Sequence, residues 1–223
     1  MNIGENIKKI NTQLPAHVRL VAVSKTKPVE ALLEAYSAGQ RIFGENYVQE
    51  LITKQPLLPA DIEWHFIGHL QTNKVKYIAP FVACIQSVDS LKLLREIDKE
   101  ARKNSRVIDC LLEFGIASDD SKFGFDSQDA FEFLANEQYK NFEGIRICGV
   151  MGMGSFVDDE ITTRKEYNLL FSIFNRLKNS VFVNESAFCE VSMGMSHDFG
   201  IAVAEGSTLV RVGTLVFGER NYK

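Results

Sequence analysis

The sequence lacks an excess of basic charge, long apolar runs and a signal-peptide pattern. Its 25 lysines and arginines are outnumbered by 29 aspartates and glutamates, which gives a net charge of −4. A nucleic-acid or anionic-membrane partner needs a basic field, so this charge argues against both. No stretch approaches the roughly 20 consecutive apolar residues of a membrane-spanning helix. The N-terminal MNIGENIKKI has no apolar core, and we expect a cytoplasmic protein.

Paired cysteines and linker segments are also missing. Cys84, Cys110, Cys148 and Cys189 each lie in or beside an apolar run, and no pair has C-x-x-C spacing. Because free cysteine is among the most often buried residue types, we expect four reduced cysteines in the core. No low-complexity stretch or internal repeat marks a second domain, so residues 1–223 are expected to form a single domain.

Strand-like and helical patterns alternate almost from end to end. The strand-like runs are predicted at residues 19–24, 40–43, 63–67, 81–86, 106–113, 145–151, 187–191 and 208–212. Helical patterns lie between them, and one more precedes the first strand. Eight such strands favour an α/β fold, a closed parallel (β/α)8 TIM barrel with an extra N-terminal helix. A doubly wound open sheet is the alternative, because the number of strands does not by itself show closure.

Polar and glycine-rich clusters follow the predicted strands. In a (β/α)8 barrel these positions form the C-terminal rim, where active sites lie and where the loops after strands seven and eight often hold phosphate. Ser196 is expected to cap the helix after strand seven while offering its hydroxyl to an anion. Gly213 and Thr214 would bring backbone donors close. Plain helix capping and turn formation explain these residues about equally well.

Two basic residues end predicted strands at the same rim. Lys25 directly follows an apolar strand, and burial of a lysine amine favours the neutral form that condenses with an aldehyde. A solvated lysine is the alternative, and it is the interpretation given to Lys27. Arg211 ends strand eight and needs a partner if it is buried. That partner is either a rim carboxylate such as Glu45 or a bound ligand.

Seven ordered segments carry a family resemblance. They are VAVSKTKP, RIFGENYVQE, WHFIGHLQTNK, SVDS, SKFGF, GVMGM and SMGMSHDFGIAVAEGSTLVRVGTLVFGER, spread over residues 21–220. By this set the chain resembles the pyridoxal 5′-phosphate (PLP) homeostasis proteins, which are similar in fold to the N-terminal barrel of alanine racemase. One departure is GVMGMGSF, where relatives more often have GLM followed by a polar residue. Because of this departure, the resemblance does not predict which side chains form the pocket wall around Met151.

The resemblance implies a PLP site and the role of each residue in it. The implied site residues are Lys25, Asn46, Met193, Ser196, Arg211, Gly213 and Thr214. Lys25 would carry PLP as a Schiff base, Ser196 and the Gly213–Thr214 loop would hold the phosphate, and Arg211 would face the pyridine nitrogen. Asn46 and Met193 would line the pocket. Contacts of His65, Met151 and Lys122 with the cofactor stay open. His65 and His69 lack a third spaced ligand, so no metal site is predicted.

The implied site favours a carrier over an efficient enzyme. An arginine keeps the pyridine nitrogen unprotonated, so PLP stabilises a carbanion less well. Alanine racemases also take a proton donor from a second domain and a partner subunit, and we see no such domain in this sequence. We therefore expect a monomeric PLP carrier or buffer in vitamin B6 homeostasis, with PLP-dependent apo-enzymes as candidate recipients. The alternatives are a PLP enzyme acting on amino acids, such as a weak racemase or eliminase, and an interaction barrel without cofactor.

Overall fold

The computed structural model describes residues 2–117, 124–125, 127–136 and 138–219. Within them, parallel strands close into a barrel in chain order, with β1 paired to both β2 and β8. The strands are β1 Arg19–Val23, β2 Ile42–Glu45, β3 Glu63–Phe66, β4 Cys84–Val88, β5 Ile108–Gly115, β6 Ile145–Met153, β7 Glu190–Ser192 and β8 Leu209–Val212. The predicted (β/α)8 barrel is confirmed. The open-sheet alternative is wrong, because β8 returns to β1.

Helices surround the barrel at the predicted places, with one addition. They are α1 Ile3–Asn11, α2 Val29–Ser37, α3 Val48–Lys54, α4 Val75–Ile78, α5 Leu91–Lys103, α6 Ser127–Ala135, α7 Glu160–Ser180, α8 Phe199–Ala204 and α9 Thr214–Phe217. The unpredicted α9 follows β8 and contacts the extra N-terminal helix α1, where Asn6 Nδ2 donates to the Val216 carbonyl at 3.0 Å. None of the described helices combines the length and apolarity needed to cross a membrane.

Side chains alternate between two apolar layers along each strand. Leu20 and Ala22 of β1 point outward into the main core beneath the helices. Val21, between them, points into the barrel, where it packs with Leu111 and Met151. This alternation is the period-two geometry of a strand. The same alternation places Met151, whose position in the pocket wall the resemblance did not predict. Its side chain is fully buried in the inner layer.

Strands β4 and β7 begin later than their apolar runs predict. β4 begins at Cys84 and not at Phe81, and β7 begins at Glu190 and not at Ala187. The residues in between include Val82 and Phe188, which are fully buried in the outer core. Their hydrophobicity therefore reflects packing against the helices before the ladder starts, which a run of apolar letters does not distinguish from strand pairing.

The cysteines are all free, but one expectation about them is wrong. Cys84, Cys110 and Cys148 are buried, whereas Cys189 is exposed. Cys189 directly precedes β7 at the N-terminal end of the barrel, where it lines a cavity with Arg19 and Glu190. Burial raises the pKa of Cys148 to about 12, with the nearby Asp109 charge acting in the same direction. This thiol is therefore protonated at neutral pH and a poor nucleophile.

Candidate cofactor site

A cavity of about 550 Å³ opens at the C-terminal end of the barrel. Six of the seven residues predicted for the site line it: Lys25, Asn46, Ser196, Arg211, Gly213 and Thr214. They come from the ends of β1, β2, β7 and β8, which a closed barrel brings to one rim. The fold therefore gathers residues that are up to 189 positions apart (Lys25 to Thr214) around one space.

Met193 lies elsewhere, which corrects its placement in the pocket. Its side chain is fully buried in the outer core, while Met195 lines the cavity. The physical reason is the alternation of side chains after β7. Ser192 points into the barrel, so its neighbour Met193 points outward, towards the helices.

The loops after β7 and β8 are joined by a hydrogen bond. The Gly213 N–H donates to Ser196 Oγ at 3.2 Å, next to the start of α9. The expectation that Ser196 caps the following helix is wrong, because α8 begins only at Phe199 and Asp198 occupies its N-cap position. The Ser196 hydroxyl instead keeps its proton for a further acceptor. A hydroxyl beside backbone N–H groups is an arrangement suited to a phosphate.

A charge triad, of which Glu45 and Lys54 are buried and Glu50 is partly exposed, lies behind the barrel wall beside Lys25. Lys54 Nζ contacts Glu45 Oε1 at 2.7 Å and Glu50 Oε1 at 2.6 Å, and Glu45 is fully buried. Burial raises the pKa of Glu45, and the Lys54 charge opposes this rise. Glu45 therefore pairs with Lys54, and the alternative in which it pairs with Arg211 is wrong.

This triad holds the backbone on both sides of Lys25. Lys54 Nζ donates to the Ser24 carbonyl at 2.8 Å, and the Ser24 hydroxyl donates to Glu45 at 2.7 Å. The Thr26 N–H donates to Glu50 at 2.6 Å, in a residue whose φ is +65°. A left-handed conformation is strained for a β-branched residue. The bonds to the triad fix it, so Lys25 is presented to the cavity by a rigid turn.

Lys27 bridges the turn of Lys25 to the loop after β8, and its interpretation as a solvated lysine is wrong. Its Nζ donates to the carbonyls of Phe217, Gly218 and Glu219 at 3.1, 2.9 and 2.9 Å. These carbonyls lie at the C-terminal end of α9, where a cation is favoured by the helix dipole. Lys27 thereby sets the spacing between the Lys25 turn and the Ser196–Gly213 pair.

Arg211 enters the barrel as a buried cation with neutral partners. Its Nη1 donates to Ser192 Oγ at 2.6 Å and its Nη2 donates to the Gly152 carbonyl at 2.9 Å. Among the described residues, no carboxylate lies within ion-pair distance of Arg211. Burial lowers the pKa of Arg211, and the charge of Glu113 is one of those that oppose this. A buried cation so placed favours a lone-pair acceptor in the cavity.

Asn46 also lines this cavity, and its side chain carries a buried oxygen without a partner among the described residues. Its Oδ1 is buried and has no hydrogen-bond partner in the part of the chain that the structure describes. The backbone there is closely packed, because a Cβ at Gly68 would lie 2.3 Å from the Asn46 carbonyl oxygen. A buried amide oxygen without a donor costs about 1–3 kcal/mol. A ligand that pairs with the Asn46 amide would remove that cost.

Taken together, these groups fit the chemical groups of PLP. Lys25 offers an amine for an aldehyde, Ser196 and Gly213 lie where a phosphate could be held, and Arg211 offers donors to a ring nitrogen. Other lining residues were not predicted for the site, although all of them except Phe156 lie in the family segments: Val23, Ile67, Met153, Phe156, Met195, His197 and Leu215. The segments by themselves do not show which of their side chains face the cavity. His65 lines a different cavity at the opposite end of the barrel, and Lys122 lies outside the described residues.

Comparison with known proteins gives the same picture from sequence. The family described as "Alanine racemase, N-terminal domain" matches residues 1–221. A protein of Aquifex aeolicus named pyridoxal phosphate homeostasis protein is 39% identical over 205 residues, covering 92% of this chain and 88% of the relative. The human protein of that name is 39% identical over 220 residues, covering 94% of this chain and 79% of the relative.

Solved structures agree. PipY of Synechococcus elongatus with PLP bound has a TM-score of 0.89 at 36% identity, covering 97% of this chain and 100% of that chain. Its structure without PLP has a TM-score of 0.91 at 37% identity and the same coverage. An alanine racemase of Clostridium difficile has a TM-score of 0.80 at 14% identity, covering 100% of this chain and 61% of that chain. At that identity the likeness shows the fold alone.

Glu113 gives the site a testable pH dependence. Burial raises its pKa to about 7, with Asp89 adding to the rise and Arg211 opposing it. The neutral Glu113 carboxyl is tolerated in the interior and the charged one is not. Its contribution to the unfolding free energy is therefore fully present below the unfolded pKa of roughly 4.3 and is lost as the pH rises through the folded pKa of about 7. We expect Glu113→Gln to raise the unfolding free energy of the cofactor-free protein by about 2–3 kcal/mol at pH 8, and by much less at pH 5. Urea denaturation at both pH values measures this.

The exposed Glu143 provides the matched control, since its side chain is 80% exposed. Because Glu143→Gln removes a carboxylate that solvent already reaches, it should not reproduce the gain of Glu113→Gln at pH 8. If Glu113→Gln raises the unfolding free energy by the same amount at pH 5 and pH 8, then burial of the charged Glu113 carboxylate is not what destabilises the protein at high pH.

Proposed function

This chain belongs to the pyridoxal phosphate homeostasis proteins, and we propose that it binds PLP covalently through Lys25 and carries or buffers this cofactor in the cytoplasm. The observation that supports the proposal best is the meeting of Lys25, Arg211 and the Ser196–Gly213 pair around one cavity. The proposal treats residues 1–223 as a single domain and as a monomer. The free cysteines agree with a reducing compartment.

Each residue has a distinct task in this proposal. PLP supplies a reactive aldehyde, and the Lys25 amine forms a reversible carbon–nitrogen bond with it while water leaves. The Ser196 hydroxyl and the backbone of Gly213 and Thr214 hold the phosphate. Asn46 pairs its buried amide with the cofactor edge. Because Lys27 and the charge triad fix these loops relative to each other, the amine and the phosphate site keep a constant spacing.

The environment of Arg211 favours storage over turnover. A guanidinium donates and does not give up its proton, since its pKa stays far above neutral. The ring nitrogen it faces therefore remains unprotonated, and the cofactor is a weaker electron sink than beside a carboxylic acid. A site that binds the aldehyde reversibly without activating it suits a carrier, and PLP-dependent apo-enzymes are the proposed recipients.

The rim of the cavity offers a surface for such a recipient. Met153, Phe156 and Leu215 line the cavity and are exposed, with Phe156 84% exposed. Exposed apolar side chains grouped at the mouth of a site are more typical of contact surfaces than of solvated loops. We name these three residues the apolar rim and propose that a recipient contacts it while PLP is handed over.

Replacement of Lys25 tests the covalent bond. Borohydride reduction of the PLP-loaded protein should fix one cofactor on Lys25, detected by peptide mass mapping, and Lys25→Ala should abolish the adduct and the visible absorption band. Lys92→Ala, which removes an exposed lysine of α5, should leave both unchanged. An adduct on another residue would contradict the proposal. Substantial turnover of any single amino acid that is lost in Lys25→Ala would identify an enzyme and not a carrier.

Replacement of Ser196 tests the phosphate site. Ser196→Ala should weaken PLP affinity by about 1–2 kcal/mol, because a hydroxyl bond to a charged phosphate is lost. Equilibrium titration of the absorption band measures the affinity. Ser172→Ala, which removes an exposed hydroxyl on α7, is the control and should bind PLP normally. Equal affinity of wild type and Ser196→Ala would place the phosphate in another loop.

Replacement within the apolar rim tests the handover. Phe156→Ser should slow reactivation of an apo-enzyme by the PLP-loaded protein when an excess of amine scavenger traps free PLP. Val107→Ser, at an exposed apolar position before β5 and at the opposite end of the barrel, should not slow it. If the scavenger blocks reactivation by the wild-type protein, PLP is released to solvent, and the rim has no part in transfer.

A further inference from the structure

A chain of hydrogen bonds crosses the barrel interior behind the candidate site. Arg211 Nη1 donates to Ser192 Oγ at 2.6 Å, and Ser192 Oγ donates to Gln86 Oε1 at 2.6 Å. Gln86 Nε2 lies 2.8 Å from His65 Nδ1. The four residues come from β8, β7, β4 and β3, so the chain spans the barrel. We call it the interior relay.

The donors and acceptors of the interior relay follow one direction from Arg211 to His65. A guanidinium only donates, so Ser192 accepts from Arg211, and the Ser192 hydroxyl donates its own proton to Gln86 Oε1. The amide of Gln86 is thereby oriented with Nε2 towards His65, whose Nδ1 must accept. The neutral ring then carries its proton on Nε2. Burial, together with the Arg19 charge, lowers the pKa of His65 to about 3, so the ring stays an acceptor at neutral pH.

Burial makes this arrangement rigid. Arg211 is 5% exposed, His65 4%, and Ser192 and Gln86 are fully buried. Hydrogen bonds in such a low-dielectric interior polarise one another, and a broken one leaves a group that water does not reach. With the Gly152 carbonyl as a second acceptor at 2.9 Å, both ends of the guanidinium are fixed. Its plane is therefore set by groups that do not line the cavity.

We infer that Ser192, Gln86 and His65 are positioning residues that aim the Arg211 guanidinium at the ring nitrogen of the cofactor and so keep that nitrogen unprotonated. This inference rests on the proposed function. It assigns a task to His65, which lines a second cavity at the N-terminal end of the barrel and does not line the candidate site. Ser192, Gln86 and His65 would act through Arg211 and not by contact with PLP.

The test compares the PLP-loaded wild type with Ser192→Ala, Gln86→Met and His65→Phe. The readout is the pH at which the absorption band of the bound cofactor changes, with Arg211→Gln setting the direction expected when the guanidinium is lost. All three relay variants should shift that pH in the same direction as Arg211→Gln but by less, because the guanidinium remains and is only misaligned. Ser192→Thr, which keeps the hydroxyl, should show the spectral change at the same pH as the wild type.

A matched control separates positioning from stability. Ser207 is fully buried beside the relay, and its hydroxyl lies within hydrogen-bond distance of the carbonyl oxygens of Val191, Met193 and Leu209, at 3.3, 2.8 and 3.0 Å. Ser207→Ala should lower the unfolding temperature as Ser192→Ala does, yet leave the spectral titration unchanged. If Ser192→Ala and Gln86→Met keep the wild-type titration, or if Ser207→Ala shifts it equally, the inference is overturned.

Reduction with borohydride in the same samples distinguishes the two levels of failure. Wild-type protein labelled on Lys25, with relay variants that titrate normally, would contradict the inference alone. Wild-type protein that is not labelled on Lys25 would overturn the proposed function, and the inference with it.

Discussion

The burial of one positive charge inside the barrel constrains the rest of the site. Arg211 is held away from solvent by donation to Ser192 and the Gly152 carbonyl, both neutral, and the nearby Glu113 has a pKa raised to about 7. Removing a charge from water is costly unless every donor is satisfied. The adjacent strand β7 and the next strand, β6, therefore present acceptors at this level, and the remaining guanidinium surface is left for a ligand in the cavity.

Three lysines that are close in the fold show how environment decides role. Lys25 lines the cavity, Lys27 holds the carbonyls at the end of α9, and Lys54 lies in the charge triad that fixes the Lys25 turn. Two of the three thus act on the position of the first. A covalent carrier needs this rigidity, because reversible bonding at one end and phosphate binding at the other both depend on a constant spacing.

The open rim and the rigid interior suit different parts of the proposed function. Below the cavity, the interior relay and the inner apolar layer leave little freedom to the groups that face the cofactor. Above it, Phe156 and its neighbours of the apolar rim are exposed. An enzyme that stabilises a carbanion benefits from excluding water, whereas a carrier has to release its cargo. A rigid interior below the cavity and an accessible rim above it agree with a site that releases its cofactor.

The sequence by itself determined the barrel, its rim and most of the residues that are predicted for the site and line the cavity. Short strand-like runs alternating with helical patterns predict the strands, and polar or glycine-rich clusters after them mark Lys25, Ser196 and Gly213, because strand order in a barrel brings all such loops together. The family segments add the cofactor. The sequence did not predict which side chains from different parts of the chain contact one another. Lys27 looked solvated, and Glu45 was a candidate partner of Arg211, since sequence spacing does not show which of several charges a long side chain reaches.

Only the tertiary structure decided in which direction side chains point and which of them form hydrogen bonds with each other. Met193 and Met195 are two residues apart in one motif, yet the first is in the core and the second lines the cavity, because the chain leaves the regular strand between them. The partners in the interior relay are separated by as many as 106 residues, from Gln86 to Ser192. Such bonds depend on the register of strands that close the barrel, and this register is a property of packing that no local pattern encodes.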